Sequence, residues 1–116
     1  MNTTILLTND ITKILESLPL LHSKNKYIIL QYPNKYVMVI GIVTYSEQLL
    51  QFVEEDNYTI LGGGFLFIHT TDQDCEELII YGESTRYGTA DPKIIKQFYP
   101  EIKTLLDIET ITLKID

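Results

Sequence analysis

Residues 26–43 read KYIILQYPNKYVMVIGIV. The runs 26–32 and 35–43 are rich in aliphatic and aromatic residues, and Pro33-Asn34 separates them. Such runs favour β-strands, and Pro and Asn are common in tight turns. The stretch therefore predicts an antiparallel hairpin, around which the remaining elements arrange.

The rest of the chain alternates between helical and strand patterns. A first strand at 4–7 precedes a helix with an apolar stripe at Ile11, Ile14, Leu15 and Leu18, which Pro19 ends. A second helix is predicted to begin near Thr44 and Glu47, which have the spacing of a capping box; Ser46 is the alternative cap. The apolar face of this helix is Leu49, Leu50, Phe52 and Val53. Strands are predicted at 58–61 and 65–70, then at 77–82 and 104–115. Gly62–Gly64 interrupt the first two, and three glycines in a row indicate a bulge or a place where another group approaches the backbone. A third helix begins at Asp91-Pro92 and ends at Tyr99-Pro100.

This order, β-α-β-β-α-β-β-α-β, predicts one α/β (α+β) domain over residues 1–116, with a mixed β-sheet flanked by α-helices. Acidic residues outnumber basic ones by 16 to 9, so a nucleic-acid partner is not expected. The apolar runs are too short to span a membrane, and the N-terminus does not resemble a signal peptide. A single cysteine, Cys75, permits no internal disulfide and favours a reducing, cytoplasmic location.

The segment 81–90, YGESTRYGTA, lies between a predicted strand and a predicted helix. Loops of this kind expose backbone N–H groups that bind oxyanions, and the helix that follows adds a partial positive charge. Ser84, Thr85 and Arg86 offer further donors. The alternative is a structural turn that needs its two glycines only for their backbone conformation.

Several motifs together resemble the phosphohistidine phosphatases, also called the Janus/Ocnus family. They are Leu61-Gly62-Gly63-Gly64, then His69, the octapeptide YGESTRYG at 81–88, and Tyr99-Pro100 after a helix. An upstream strand beginning Lys26-Tyr27 also matches, so the resemblance extends from about residue 26 to the C-terminus.

The resemblance implies a mixed sheet flanked by helices and a phosphate pocket. It assigns phosphate contacts to Ser84, to the backbone N–H of Arg86, to Lys26 near the pocket, and to the start of the central helix near Ser46 and Glu47. With Thr85 and with Gly62, Gly63 and Gly64, these residues form the predicted anion site. The expected ligand is a phosphate-like anion or a phosphorylated protein.

The sequence departs from the family at two positions. The active histidine of the family precedes the central helix, but residues 44–46 are Thr-Tyr-Ser. Phe65 stands where a basic residue usually follows the three glycines. Serine needs a neighbouring base to become a nucleophile, so we expect anion binding to survive and phosphatase activity to be impaired.

His69 is the remaining catalytic candidate, although a lone histidine on a strand more often packs or forms hydrogen bonds. His22 is expected on the surface. No cofactor or metal is expected, because the acids at 72–77 lack the spacing of a calcium loop. Three functions stay open: a catalytically impaired phosphate-binding protein, an active phosphatase with a rearranged site, and a protein-interaction domain without a ligand pocket.

Overall fold

The chain forms a six-stranded mixed sheet in the order β1-β3-β2-β4-β5-β6. A computed structural model describes residues 2–7, 24–71, 73, 75–106 and 111–115. The strands are β1 (Asn2–Leu7), β2 (Asn25–Gln31), β3 (Lys35–Gly41), β4 (Thr59–Thr70), β5 (Glu76–Tyr81) and β6 (Thr112–Ile115). A 3₁₀ helix covers Ser46–Phe52, and two α-helices follow β5: α1 (Pro92–Gln97) and α2 (Tyr99–Leu106). The fold is thus a mixed α+β architecture, as the sequence predicts at that level.

The predicted hairpin lies at the centre of this sheet. β2 and β3 are antiparallel, and the Tyr32 N–H donates to Lys35 O at 2.9 Å across the turn at Pro33-Asn34. β4 pairs antiparallel with the other edge of β2. Because β2 and β3 are covered on both faces, they read as nearly continuous apolar runs rather than as alternating ones.

The two faces of the sheet carry separate apolar clusters. On one face, strand residues including Tyr27, Ile29, Leu66 and Ile80 pack against Ile95, Phe98 and Ile102 of the α-helical region. On the other face, Ile28, Leu30 and Val39 pack against Leu49 of the 3₁₀ helix. Helical segments therefore cover both faces, as predicted, although the central one is a 3₁₀ helix rather than the expected α-helix.

The three glycines do not separate two strands, contrary to prediction, but the predicted bulge and close approach of backbone are both present there. β4 continues through them from Thr59 to Thr70. The register shifts opposite Ile29 and Leu30, which pair with Gly62 and Ile60, so Leu61 is the extra residue of a bulge. The low strand propensity of glycine is overridden because the three glycines pair with β2 on one side, while on the other side Gly63 is hydrogen-bonded to Ser84 and Gly88 of the loop after β5.

The central helix is capped differently from the prediction, which used Thr44 with Glu47 or used Ser46. Tyr45 is the cap residue, and Gln48 Oε1 accepts hydrogen bonds from Thr44 N at 2.9 Å and Tyr45 N at 2.8 Å. Phe52, expected on the buried face, is 42% exposed. A side chain three residues after the cap that reaches back to its backbone is one half of a capping box.

Predictions near the C-terminus are confirmed only in part. α1 ends at Gln97, just before Tyr99-Pro100, as predicted. The same residues also begin α2, which was not predicted, because proline is accepted in a first helical turn where its missing N–H has no partner. The final strand does not begin at Thr104, which is helical; its hydroxyl donates to Pro100 O at 3.0 Å. β6 covers only Thr112–Ile115 and pairs in parallel with β5.

Some predictions lie outside the described residues. They are the helix around Ile11–Leu18, the surface position of His22, and part of the acidic turn, namely Asp72 and Asp74. The residues that the structure does describe include no helix long and apolar enough to cross a membrane.

Candidate functional site

The loop between β5 and α1 folds back on itself and is fastened to β4. Ser84 and Gly88 form an isolated antiparallel bridge, in which the Gly88 N–H donates to Ser84 O at 2.9 Å. The Gly63 N–H donates to Gly88 O at 2.9 Å, and the Ser84 N–H donates to Gly63 O at 3.1 Å. The backbone N–H groups of Ser84 and Gly88 are therefore used within the protein, and only the tip of the loop remains for a ligand.

That tip borders an open cleft of about 220 Å³. The loop contributes Ser84, Thr85 and Arg86 to the cleft, and the start of the 3₁₀ helix faces them across it. The complete lining is Lys26, Tyr45, Ser46, Glu47, Ser84, Thr85 and Arg86. The structure thus brings together all six predicted anion-site residues that are not glycines, from three elements far apart in sequence.

A serine pair joins the two sides of the cleft. The hydroxyls of Ser84 and Ser46 form a hydrogen bond with an Oγ–Oγ distance of 3.2 Å, and both residues are buried, at 5% and 7% exposure. Ser84 Oγ also accepts from the Tyr87 N–H at 3.1 Å, which fixes its position in the loop. Each hydroxyl carries one donor and two acceptor sites and either can donate across the pair, so one of the two protons stays available to a ligand.

Four backbone N–H groups at the cleft are free of protein acceptors. Across the described ranges, the N–H groups of Thr85 and Arg86 at the loop tip make no intramolecular hydrogen bond. The same holds for Ser46 and Glu47 at the start of the 3₁₀ helix, whose first backbone bond is from Gln48 N to Tyr45 O. Adjacent free N–H groups in a turn make a concave donor set suited to an oxyanion.

The charges around the cleft are mixed. Lys26 is anchored by a 2.7 Å hydrogen bond from Nζ to Thr44 O, and Arg86 is exposed, with its guanidinium 5.9 Å from the Tyr87 ring. Glu47 is also exposed and adds a carboxylate to the same lining. Two cations and one carboxylate leave a local balance that favours an anion, although the whole chain carries a charge of -7.

The three glycines were predicted as anion-site residues, but they do not line the cleft. They lie where β4 meets other backbone. A Cβ atom would stand 2.6 Å from Ala90 N at Gly62, 2.3 Å from Tyr27 O at Gly63 and 2.8 Å from Tyr81 O at Gly64. The glycines therefore act on the site indirectly, by letting the loop dock against the strand.

His69 is placed away from the cleft. It is exposed on β4 and pairs with Glu77, whereas Phe65 on the same strand pairs with Lys26 of the cleft. Four residues of strand separate the two positions by about 13 Å. As far as the described residues define the cleft, it contains no histidine.

The sequence predicts that the helix after the loop adds partial positive charge to the anion site. In the structure, the start of that helix does not face the cleft. The Asp91 side chain occupies the start of α1 by accepting from Lys93 N at 2.9 Å, and Pro92 borders a different pocket. The donors come from the 3₁₀ helix instead. Sequence reasoning also missed Tyr45, which has no distinctive pattern, and Gln48, whose position three residues after the cap was an available signal.

The arrangement offers an anion several donors, but among the described residues it does not pair a nucleophile with a base. Ser46 lies on the segment 44–46, where the family resemblance places the active histidine, and its hydroxyl is hydrogen-bonded to Ser84. A serine nucleophile needs an adjacent general base, and the carboxylate of the lining, that of Glu47, is exposed and forms no hydrogen bond with the Ser46 hydroxyl.

Neither a protein-family model nor a curated protein sequence matches this chain.

Proposed function

We propose that this chain is a phosphohistidine-phosphatase-like protein that binds a phosphoryl group without hydrolysing it. The observation that carries the proposal is the cleft formed by Lys26, Ser46, Ser84, Thr85 and Arg86. These five residues belong to the anion site predicted from the sequence, and all five line one cleft. The mixed sheet with helical segments on both faces is compatible with the fold that the resemblance implies.

A phosphoryl group suits the donor set. It presents three oxygens that accept hydrogen bonds, and the cleft offers backbone donors on two sides, a serine hydroxyl at 3.2 Å from its partner and two cationic side chains. Glu47 weakens the attraction, so we expect millimolar rather than tight affinity for free phosphate.

A protein-borne phosphoryl group is favoured over the free anion. In the described part of the chain, the large apolar side chains that are exposed are Ile42, Tyr45 and Phe52, at 50%, 62% and 42%. Tyr45 directly precedes the 3₁₀ helix and lines the cleft itself, Phe52 is the last residue of that helix, and Ile42 directly follows β3. Exposed aromatic residues beside a polar site are typical of a surface that contacts a partner.

Titration by ¹⁵N NMR tests the binding. Inorganic phosphate and phosphoramidate, a small molecule with the P–N bond of phosphohistidine, should shift the amide signals of Thr85 and Arg86. Ser84→Ala should weaken both by about tenfold, because a hydrogen bond to a charged group is lost. Thr89→Ala is the matched control, since it removes a hydroxyl of the same loop that does not line the cleft. Unshifted amides at millimolar ligand, or equal affinity for both variants, would refute the proposal.

A hydrolysis assay separates binding from catalysis. We expect no turnover of a phosphohistidine peptide by the wild-type protein. Turnover that His69→Ala abolishes would instead support the rearranged phosphatase, which nothing in the position of His69 favours. Turnover that this variant leaves unchanged would mean that another group activates water in the cleft.

A further inference from the structure

A second cavity lies on the opposite side of the loop from the phosphate cleft. It has a volume of about 390 Å³ and lies between α1 and the strands β5 and β6. Its walls include Ile80, Ala90, Ile95 and Leu113. We call it the apolar pocket. Its size and apolar walls are within the range of small-molecule sites.

The buried phenol of Tyr27 distinguishes this pocket from a packing defect. Tyr27 lines the pocket and is only 1% exposed. Within the part of the chain that the structure describes, its hydroxyl makes no hydrogen bond, and burial raises the pKa of the phenol to about 12. The group is therefore a neutral donor at physiological pH. Because the hydroxyl borders the cavity and has no partner among the described residues, its proton is available to an acceptor on a bound ligand.

The second polar group is Lys96, an exposed residue of α1 that also lines the pocket. It forms no ion pair with any described residue. Thr89, a third polar residue of the lining, already donates to Glu83 Oε2 at 3.2 Å. The groups still available are thus a neutral donor and a cation, and both require an acceptor. The carboxylate of Asp91, the residue that caps α1, accepts from the Lys93 N–H and does not line the pocket.

We propose that the apolar pocket binds a small carboxylic acid with an apolar body. The aliphatic walls take the body, and the carboxylate accepts from Tyr27 and is attracted by Lys96. The site is separate from the phosphate cleft, with which it shares no lining residue. The inference therefore does not depend on the proposed phosphate binding.

Octanoate is a suitable probe, with octanol as the uncharged molecule of the same chain length. In ¹⁵N NMR, octanoate should shift the amides of Ala90, Ile95 and Leu113 and leave those of Thr85 and Arg86 in place. Octanol should bind at least fivefold more weakly. Absence of shifts at millimolar octanoate would overturn the proposal. Equal affinity for octanol and octanoate would show that the pocket does not recognise the carboxylate, which also overturns it.

Three variants localise the binding. Tyr27→Phe keeps the ring and should weaken octanoate by about tenfold. Lys96→Met keeps the aliphatic stem and should weaken it by about threefold, as expected for an exposed charge. Lys93→Met removes a charge from the same helix outside the pocket and should have no effect. Affinity for octanoate that Tyr27→Phe leaves unchanged contradicts the proposal, provided that the variant retains the amide spectrum of the folded protein. Ser84→Ala should not alter octanoate binding, which keeps this test independent of the phosphate cleft.

Discussion

We predict that replacing Gly62 destabilises the protein, because the loop after β5 docks against β4 at this residue. Gly62 has φ +142°, and an added Cβ would stand 2.6 Å from Ala90 N and 2.7 Å from Thr89 C, both backbone atoms. Backbone strain of this kind costs about 1–3 kcal/mol. Because the overlap with backbone adds to it, we expect Gly62→Ala to lower the free energy of unfolding by about 2–4 kcal/mol.

Gly88→Ala is the matched control. Gly88 also has a positive φ, +77°, but an added Cβ meets nothing within 4 Å. Only strain remains there, at about 1 kcal/mol. Thermal unfolding measures the contrast: at roughly 4 °C per kcal/mol for a chain of this length, Gly62→Ala should lower Tm by about 8–16 °C and Gly88→Ala by about 4 °C. Equal losses in the two variants would show that the loop is not in contact with β4 at Gly62.

Three further predictions follow from individual side chains. Glu47→Gln should strengthen phosphate binding about two- to fourfold in the NMR titration, because it removes the carboxylate of the cleft; weaker binding would mean that Glu47 contacts the ligand. Gln48→Ala should destabilise the protein by about 1 kcal/mol in urea unfolding, because the N–H groups of Thr44 and Tyr45 lose their acceptor; an unchanged midpoint would exclude this cap in solution. Burial raises the pKa of Tyr27 from 10.0 to about 12. The protonated phenol therefore contributes fully to the free energy of unfolding below pH 10, and this contribution is lost as the pH approaches 12. The wild-type protein should therefore lose up to about 3 kcal/mol more than Tyr27→Phe over that interval, measured by urea unfolding at a series of pH values; parallel pH profiles would show that the phenol is not buried.

The sequence predicted those parts of the fold in which local and long-range preferences agree. Residues 26–43 combine strand propensity with a turn at Pro33-Asn34, and the hairpin forms as expected. Asp91-Pro92 begins a helix for the same reason, since cap and first-turn preferences coincide there. The six polar site residues could be chosen because the octapeptide at 81–88 and the strand beginning at Lys26 resemble a known family.

The errors arise where tertiary contacts decide. Glycine is a poor strand residue, yet Gly62–Gly64 continue β4 because they pair with β2 and because Gly63 bonds to backbone of the loop at Ser84 and Gly88. The end of α1 before Tyr99-Pro100 was predicted correctly, but nothing local indicated that the same residues begin α2. The alternating pattern at 104–115 also satisfies a helical turn at its start, so the sequence alone could not locate the beginning of β6.

The donors of the candidate site were also only partly predictable. Which backbone N–H groups stay free depends on pairing between distant segments, such as Ser84 N with Gly63 O at 3.1 Å. The exclusion of His69 by its place along β4 likewise emerges only from the assembled sheet.

The claim that the cleft binds a phosphoryl group would be tested most directly by a crystal structure from crystals grown in the presence of phosphate. We predict an ordered phosphate within hydrogen-bonding distance of the N–H groups of Thr85 and Arg86 and of Ser84 Oγ. A cleft that holds only water at high phosphate concentration, or a loop tip whose N–H groups bind the protein's own carbonyls, would contradict the account.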